Sequence, residues 1–348
     1  MRTLLLTAAY FYAILTAYAA PTVNVPISKH AGPVKANSYI IKLKDGVSKD
    51  SHIAKLLSRT PDSKVEYKYE QVFHGYAAEL KDKNLDFVRQ SSDVEYILED
   101  GIVTIQYDVD TGIYTAHSSF GGRARWGATF GGYADADGNG HGTHTAAIAV
   151  GATYGVATSA NIIAVKVLSD SGSGSVSGII AGINYIVTSA KSSGRPSIAT
   201  FSISGAANSA LDSAVNNAIA NGIHCTVAAG GSNVDAGNES PARVAAANTV
   251  GAVDSSNNRA SFSSYGSVLD VWAPGVNILS AWIGNPSATN TLSGTSMATP
   301  FVAGILAAAI GDHGNKSPAQ LSVDLKAHAR PVVTGVPSGT TNLLATRW

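Results

Sequence analysis

The run Gly294-Thr295-Ser296-Met297-Ala298-Thr299-Pro300, with the Ala/Gly/Ile-rich stretch Phe301–Ile310 directly behind it, constrains this 348-residue chain more than any other segment. A stretch of that composition reads as a buried helix, and Ser296 falls in its first turn. A serine there has its own backbone N–H and the positive end of the helix dipole beside it, which suits a developing oxyanion. Ser296 is a candidate nucleophile. Its hydroxyl needs a base, and Asp137-Gly138-Asn139-Gly140-His141-Gly142-Thr143-His144-Thr145 supplies His141 at the head of a second small-residue helix. Upstream, Asp110-Thr111-Gly112 ends a short strand-like run, where a carboxylate orients and charge-balances an imidazole.

Further runs extend the pattern in both directions: Tyr154-Gly155-Val156-Ala157, Val165-Lys166-Val167-Leu168, Gly172-Ser173-Gly174, Ala228-Ala229-Gly230, Ser261-Phe262-Ser263-Ser264-Tyr265-Gly266 and Trp272-Ala273-Pro274-Gly275. With these, residues 107–348 resemble the subtilisin family of serine proteases, in phrasing the fungal proteinase K group. The order aspartate, histidine, serine is the one documented for subtilisin itself. Residues 37–106 resemble that family's inhibitory propeptide, through Ser38-Tyr39-Ile40-Ile41-Lys42-Leu43 and Phe73-His74-Gly75-Tyr76-Ala77-Ala78.

The resemblance implies a secreted serine endopeptidase acting on protein or peptide substrates. Asp110 orients, His141 serves as base and then acid, and Ser296 attacks to give an acyl-enzyme. The propeptide serves as intramolecular inhibitor and folding aid. No cofactor is required for catalysis. In the family an extended peptide adds to two backbone edges, matched here by Gly172, Ser173 and Gly174 on one side and by Ser204 and Gly205 on the other. Relatives carry an asparagine after Ala-Ala-Gly as oxyanion donor; the matching position here is Gly231, with Asn233 two residues on. Asp270 resembles a carboxylate that helps hold a structural calcium. His144 is read as a structural neighbour and Phe301 as a helix-packing residue.

Composition fits that reading. Lys+Arg and Asp+Glu are both 24, so the formal net charge is +0, which points to neither nucleic acid nor an anionic membrane as partner. Arg2 followed by the apolar stretch Leu4–Ala19 reads as a secretory signal, residues 1–19. The single cysteine, Cys225, lies in a strand-like run and reads as a buried, inert thiol. A monomer is expected.

The expected architecture is α/β. Residues 20–36 read as a linker, and residues 37–106 as a small α+β, ferredoxin-like domain with strands at Tyr39–Leu43, Val65–Leu80 and Val94–Ile105 and helices at Asp50–Arg59 and Asn84–Gln90. Residues 107–348 read as a parallel sheet flanked by helices, with apolar runs at Ile162–Leu168, Ile198–Ile203 and Gly222–Ala229 between helical segments at Ser177–Ser189 and Leu211–Ala220. One feature departs from the family: relatives have several tens of residues between the propeptide and the strand bearing the aspartate, whereas here Val103-Thr104-Ile105 leads through Gln106-Tyr107-Asp108-Val109 straight into Asp110. The N-terminal part of the catalytic domain is missing, and one run has to serve as both last propeptide strand and first central strand. Three readings follow: a protease with impaired activity, an inactive relative that binds peptides through its cleft, or an uncleaved inhibitor-like protein.

Overall fold

The computed structural model describes residues 24–104 and 111–348. The signal reading of residues 1–19, Asp108 and Asp110 lie outside the described residues.

The N-terminal part runs β1 (Ile27–Ser28), β2 (Val34–Leu43), α1 (Lys49–Arg59), β3 (Lys64–Tyr69), β4 (Gly75–Glu79), α2 (Lys83–Arg89) and β5 (Val94–Thr104), with strand order β1-β5-β2-β4-β3. The stretch expected as a linker thus carries β1 and the start of β2, because β1 pairs in parallel with β5 through Ile27↔Ile97. The expected Val65–Leu80 strand divides into the antiparallel pair β3 and β4. Alternation gives this sheet two buried faces. Ile41, Leu43, Tyr76 and Ala78 pack on Ile53, Leu56 and Val88 of its own helices. Ile40 and Ala77 point the other way, into a core shared with Ile179, Ile180 and Ile183.

The C-terminal part continues with β6 (Ala124–Thr129), α3 (His141–Val150), β7 (Ile162–Lys166), β8 (Ser173–Ser175), α4 (Val176–Ser193), β9 (Ile198–Phe201), β10 (Gly205–Ala206), α5 (Ser209–Ala220), β11 (His224–Ala228) and β12 (Glu239–Ser240). It ends with β13 (Asn248–Val253), β14 (Val271–Pro274), β15 (Ile278–Ala281), β16 (Thr289–Leu292), α6 (Thr295–His313), α7 (Pro318–His328), β17 (Arg330–Pro331) and β18 (Leu343–Leu344). Strands β9, β11, β13, β14 and β18 form a parallel sheet edged by antiparallel β17, as the unbroken apolar runs predict. α6 is long and apolar enough to cross a bilayer, but it is a core helix, with 72% of its apolar window buried.

The parallel sheet has a break. Among the described residues β7 pairs only with β6, β9 pairs only with β11, and no strand joins β7 to β9. A cavity of about 610 Å³ lies there, walled by Ile162–Val165 of β7, Ile198–Phe201 of β9 and side chains of α3, α4 and α6. The run asked by the sequence to serve as two strands is, up to Thr104, committed to the propeptide side: Ile102, Val103 and Thr104 pair antiparallel with Ser175, Gly174 and Ser173 of β8.

Candidate active site

His141 is the first residue of α3 and Ser296 the second of α6, and both are buried, 2% and 1% exposed. The two helices pack together, Gly304 of α6 lying so close to the Ala149 carbonyl and Val156 that a β-carbon there would come within 2.8 Å of both. The β15–β16 hairpin ties their N-termini to each other. His144 Nε2 bonds the Ile278 and Asn290 carbonyls at 3.1 Å, and Ser280 Oγ donates to the His144 carbonyl at 2.8 Å. His144 is thus a structural anchor one helical turn behind His141.

Ser296 sits at the carboxyl end of the parallel sheet, where open α/β sheets place their sites. Its Oγ donates to the Ser202 carbonyl at 3.4 Å, and Ser202 Oγ donates back to the Ser296 carbonyl at 3.1 Å, Ser202 being the residue after β9. Burial, then the neighbouring His144, holds the His141 imidazole well below the ordinary histidine range. The neutral form is the one a general base needs.

Asp137 organises the loop between the two sequence motifs, a role the sequence reading left unassigned. Its Oδ1 accepts from Thr111 Oγ1 at 2.7 Å and from the Asn139 and Gly140 amides, while Oδ2 accepts from the Thr143 amide and hydroxyl. It therefore caps the start of α3 and fixes Thr111, next to Asp110, against it. Lys166, fully buried at the end of β7, donates to the Thr111 carbonyl and to Asp170 Oδ1. The signal for Asp137 was visible as an aspartate four residues ahead of His141 in a glycine-rich turn.

A cavity of about 680 Å³ opens beside Ser296, walled by Ser204–Ala206 on one side and Gly230–Ser232 on the other, with Ile102, His30 and Pro33 of the N-terminal part across it. The expected substrate-edge residues Ser173 and Gly174 lie in β8, paired with β5; Gly172 precedes them at φ 80°. Gly205 lies in β10, which pairs with β12, and Ser204 precedes it. Gly231 lines the cavity beside Ser296 with no side chain to donate. Asn233 does not replace it, because its Oδ1 accepts from the Arg259 guanidinium, away from the cavity. Phe301 packs against the α6–α7 core, and Cys225 is buried, with burial pushing its thiol up.

The calcium expectation at Asp270 does not fit its surroundings. Asp270 Oδ2 accepts from the Thr249 amide and Oδ1 from Lys326 Nζ, both at 2.9 Å. An ammonium already balances the carboxylate that a calcium would need.

Comparison with known proteins gives the family. The subtilase family model matches residues 97–341. The chain belongs to the subtilase family. Residues 38–106 match the peptidase inhibitor I9 family, and the two matches overlap at residues 97–106, so the same strand is counted in both. The chain is 40% identical to "Subtilisin-like serine protease AsES" of Sarocladium strictum, with 89% of each covered. It is 51% identical to "Subtilisin-like protease 2" of Pseudogymnoascus destructans over 240 residues, 69% of this chain and 60% of that relative's length. Among solved structures, a cold-adapted subtilisin-like serine proteinase is 45% identical, with a TM-score of 0.64 over 68% of this chain and 86% of that one. The chain thus joins an I9-type propeptide domain to a domain of the serine-endopeptidase family of subtilases.

Proposed function

We propose that this subtilase hydrolyses peptide bonds slowly, through Asp110, His141 and Ser296, with its own propeptide lying in the cleft as inhibitor. Ser296 Oγ adds to the peptide carbonyl while His141 takes its proton and Asp110 balances the imidazolium. The proton then passes to the leaving amine, the C–N bond breaks, and water repeats the sequence on the acyl-enzyme to release the acid. The tetrahedral oxyanion is met by the Ser296 amide and the α6 dipole, without a side-chain donor from Gly231.

The observation that carries this reading is the addition of β5 to β8, which lays the propeptide's last strand along the edge leading to the cavity beside Ser296. That is how an extended peptide binds by strand addition. A second reading, a peptide-binding or inhibitor-like protein without turnover, is favoured by Gly231 and by the break between β7 and β9.

Labelling of the whole chain by a fluorophosphonate, beside Ser296→Ala and His141→Ala, separates the two. Labelling by the unaltered chain alone is the expected result. A folded, unlabelled chain transfers the assignment to the binding reading.

A further inference from the structure

The cavity beside Ser296 carries a charge that the hydrolytic machinery does not use. Glu239 opens β12, fixed by its pairing with Ala206 of β10 and by the preceding turn, in which Asp235 accepts from the Gly237 amide. It lines the same cavity as Ser204, Gly230, Gly231 and Ser296. Its carboxylate reaches inward across Gly230: a β-carbon on Gly230 would come within 1.9 Å of Glu239 Oε2 and 3.0 Å of Ser204 Oγ. Gly230 also has φ 104°, so this approach needs glycine on two counts.

Glu239 Oε2 is buried and has no hydrogen-bond partner among the described residues. Burial pushes the carboxyl above the ordinary range, although the nearby Ser204 and Ser264 hydroxyls favour its charged form. Among the described residues no lysine or arginine lines the cavity, and its other titratable lining residue is His30, between β1 and β2 across the mouth. A buried carboxylate with no opposite charge beside it is costly. The wall is therefore built for a cation that the described part of the chain does not supply.

We propose that Glu239 makes this cavity the pocket for a cationic side chain, lysine or arginine, immediately before the scissile bond. The position follows from the walls: a peptide whose carbonyl lies at Ser296 directs that side chain between Ser204–Ala206 and Gly230–Ser232. A volume of about 680 Å³ accommodates either side chain with its water. The ligand must displace the Gly32–Pro33 segment, since a β-carbon on Gly32 would lie 3.9 Å from that of Ala206. This inference deepens the hydrolytic reading and rests on Ser296 as nucleophile, so the test reads binding apart from turnover.

The probe is p-aminobenzamidine, an aromatic cation whose fluorescence rises on burial, titrated into the whole chain and into Ser296→Ala, Glu239→Gln and Glu239→Asp, with p-aminobenzamide as the uncharged competitor. Saturable binding by the unaltered chain and Ser296→Ala is expected, weakened about tenfold or more in Glu239→Gln and partly kept in Glu239→Asp, with no competition from the amide. Equal binding by Glu239→Gln, or no saturable binding by the unaltered chain, overturns the proposal. Fluorophosphonate labelling of the same samples reports on Ser296 separately. Glu239-dependent binding in an unlabelled chain removes the hydrolytic reading and leaves the cation pocket standing.

Discussion

Gly231 has open space around it: no heavy atom lies within 4 Å of where its β-carbon would sit, and its φ is outside the left-handed region. A side chain fits there without strain. Removing the equivalent asparagine from subtilisin itself lowers kcat by roughly 10²–10³. Gly231→Asn is therefore expected to raise kcat by up to about that factor with KM little changed, as befits a group acting on the transition state alone. Steady-state kinetics on one peptide substrate checks this; an unchanged kcat means the loop does not aim the amide at the oxyanion. His141 and Ser296 were legible because each heads a helix with a distinctive small-residue sequence. Glu239 was not, because what gives it a role is its approach to Gly230, nine positions earlier across a loop. Asp270 was misread for a similar reason: its partner Lys326 is 56 residues away.

α4 is the element through which the propeptide domain is held. Ser175 caps Gly178, and Asp100 at the end of the propeptide sheet accepts from the Ser177 amide at 2.9 Å, the Ser177 hydroxyl at 2.7 Å and the Ser38 hydroxyl at 2.8 Å. Farther along α4, Asn184 Oδ1 accepts the Glu70 and Gln71 amides, and Lys191 donates to Gln71 Oε1. Asp100→Ala, which leaves Ser177 and Ser38 unsatisfied, is expected to cost about 2–3 kcal/mol, whereas Asp100→Asn keeps an acceptor and costs much less. The carboxyl of Asp100 is raised by burial, which outweighs its three hydrogen bonds, so the folded protein holds this proton more tightly than the unfolded chain. The stability it contributes is present below the unfolded value of 3.8 and declines as pH rises through the raised one. Melting curves of the unaltered chain and Asp100→Asn should therefore diverge in favour of the asparagine across that interval; parallel curves refute the assignment. The strands and helices of the propeptide domain were legible from their periodicity. The burial of its second face was not, because alternation shows that both faces are apolar without showing that α4 covers one of them.

At the scale of the whole molecule, the break between β7 and β9 divides the central sheet among the described residues. The sequence raises the expectation of a missing stretch before Asp110, and the cavity of about 610 Å³ lies where two parallel strands have edges without a described partner. The cavity reaches the surface at exposed Gly122 and Ser193, so it is open to water. Strand neighbours set the order in which the sheet exchanges: among the described residues β11 and β13 have neighbours on both sides, whereas β7 and β9 each have one. Hydrogen exchange followed by mass spectrometry should show peptides covering β7 and β9 exchanging well before those covering β11 and β13. An apolar strand inserted between Gln106 and Tyr107 should slow β7 and β9 toward β11 and β13 and strengthen labelling at Ser296 in the same samples, because one added strand could pair with both edges and leave β5 free to remain on β8. Protection of β9 equal to that of β11 in the unaltered chain shows that its edge is already covered. The limit on activity then falls on Gly231 alone.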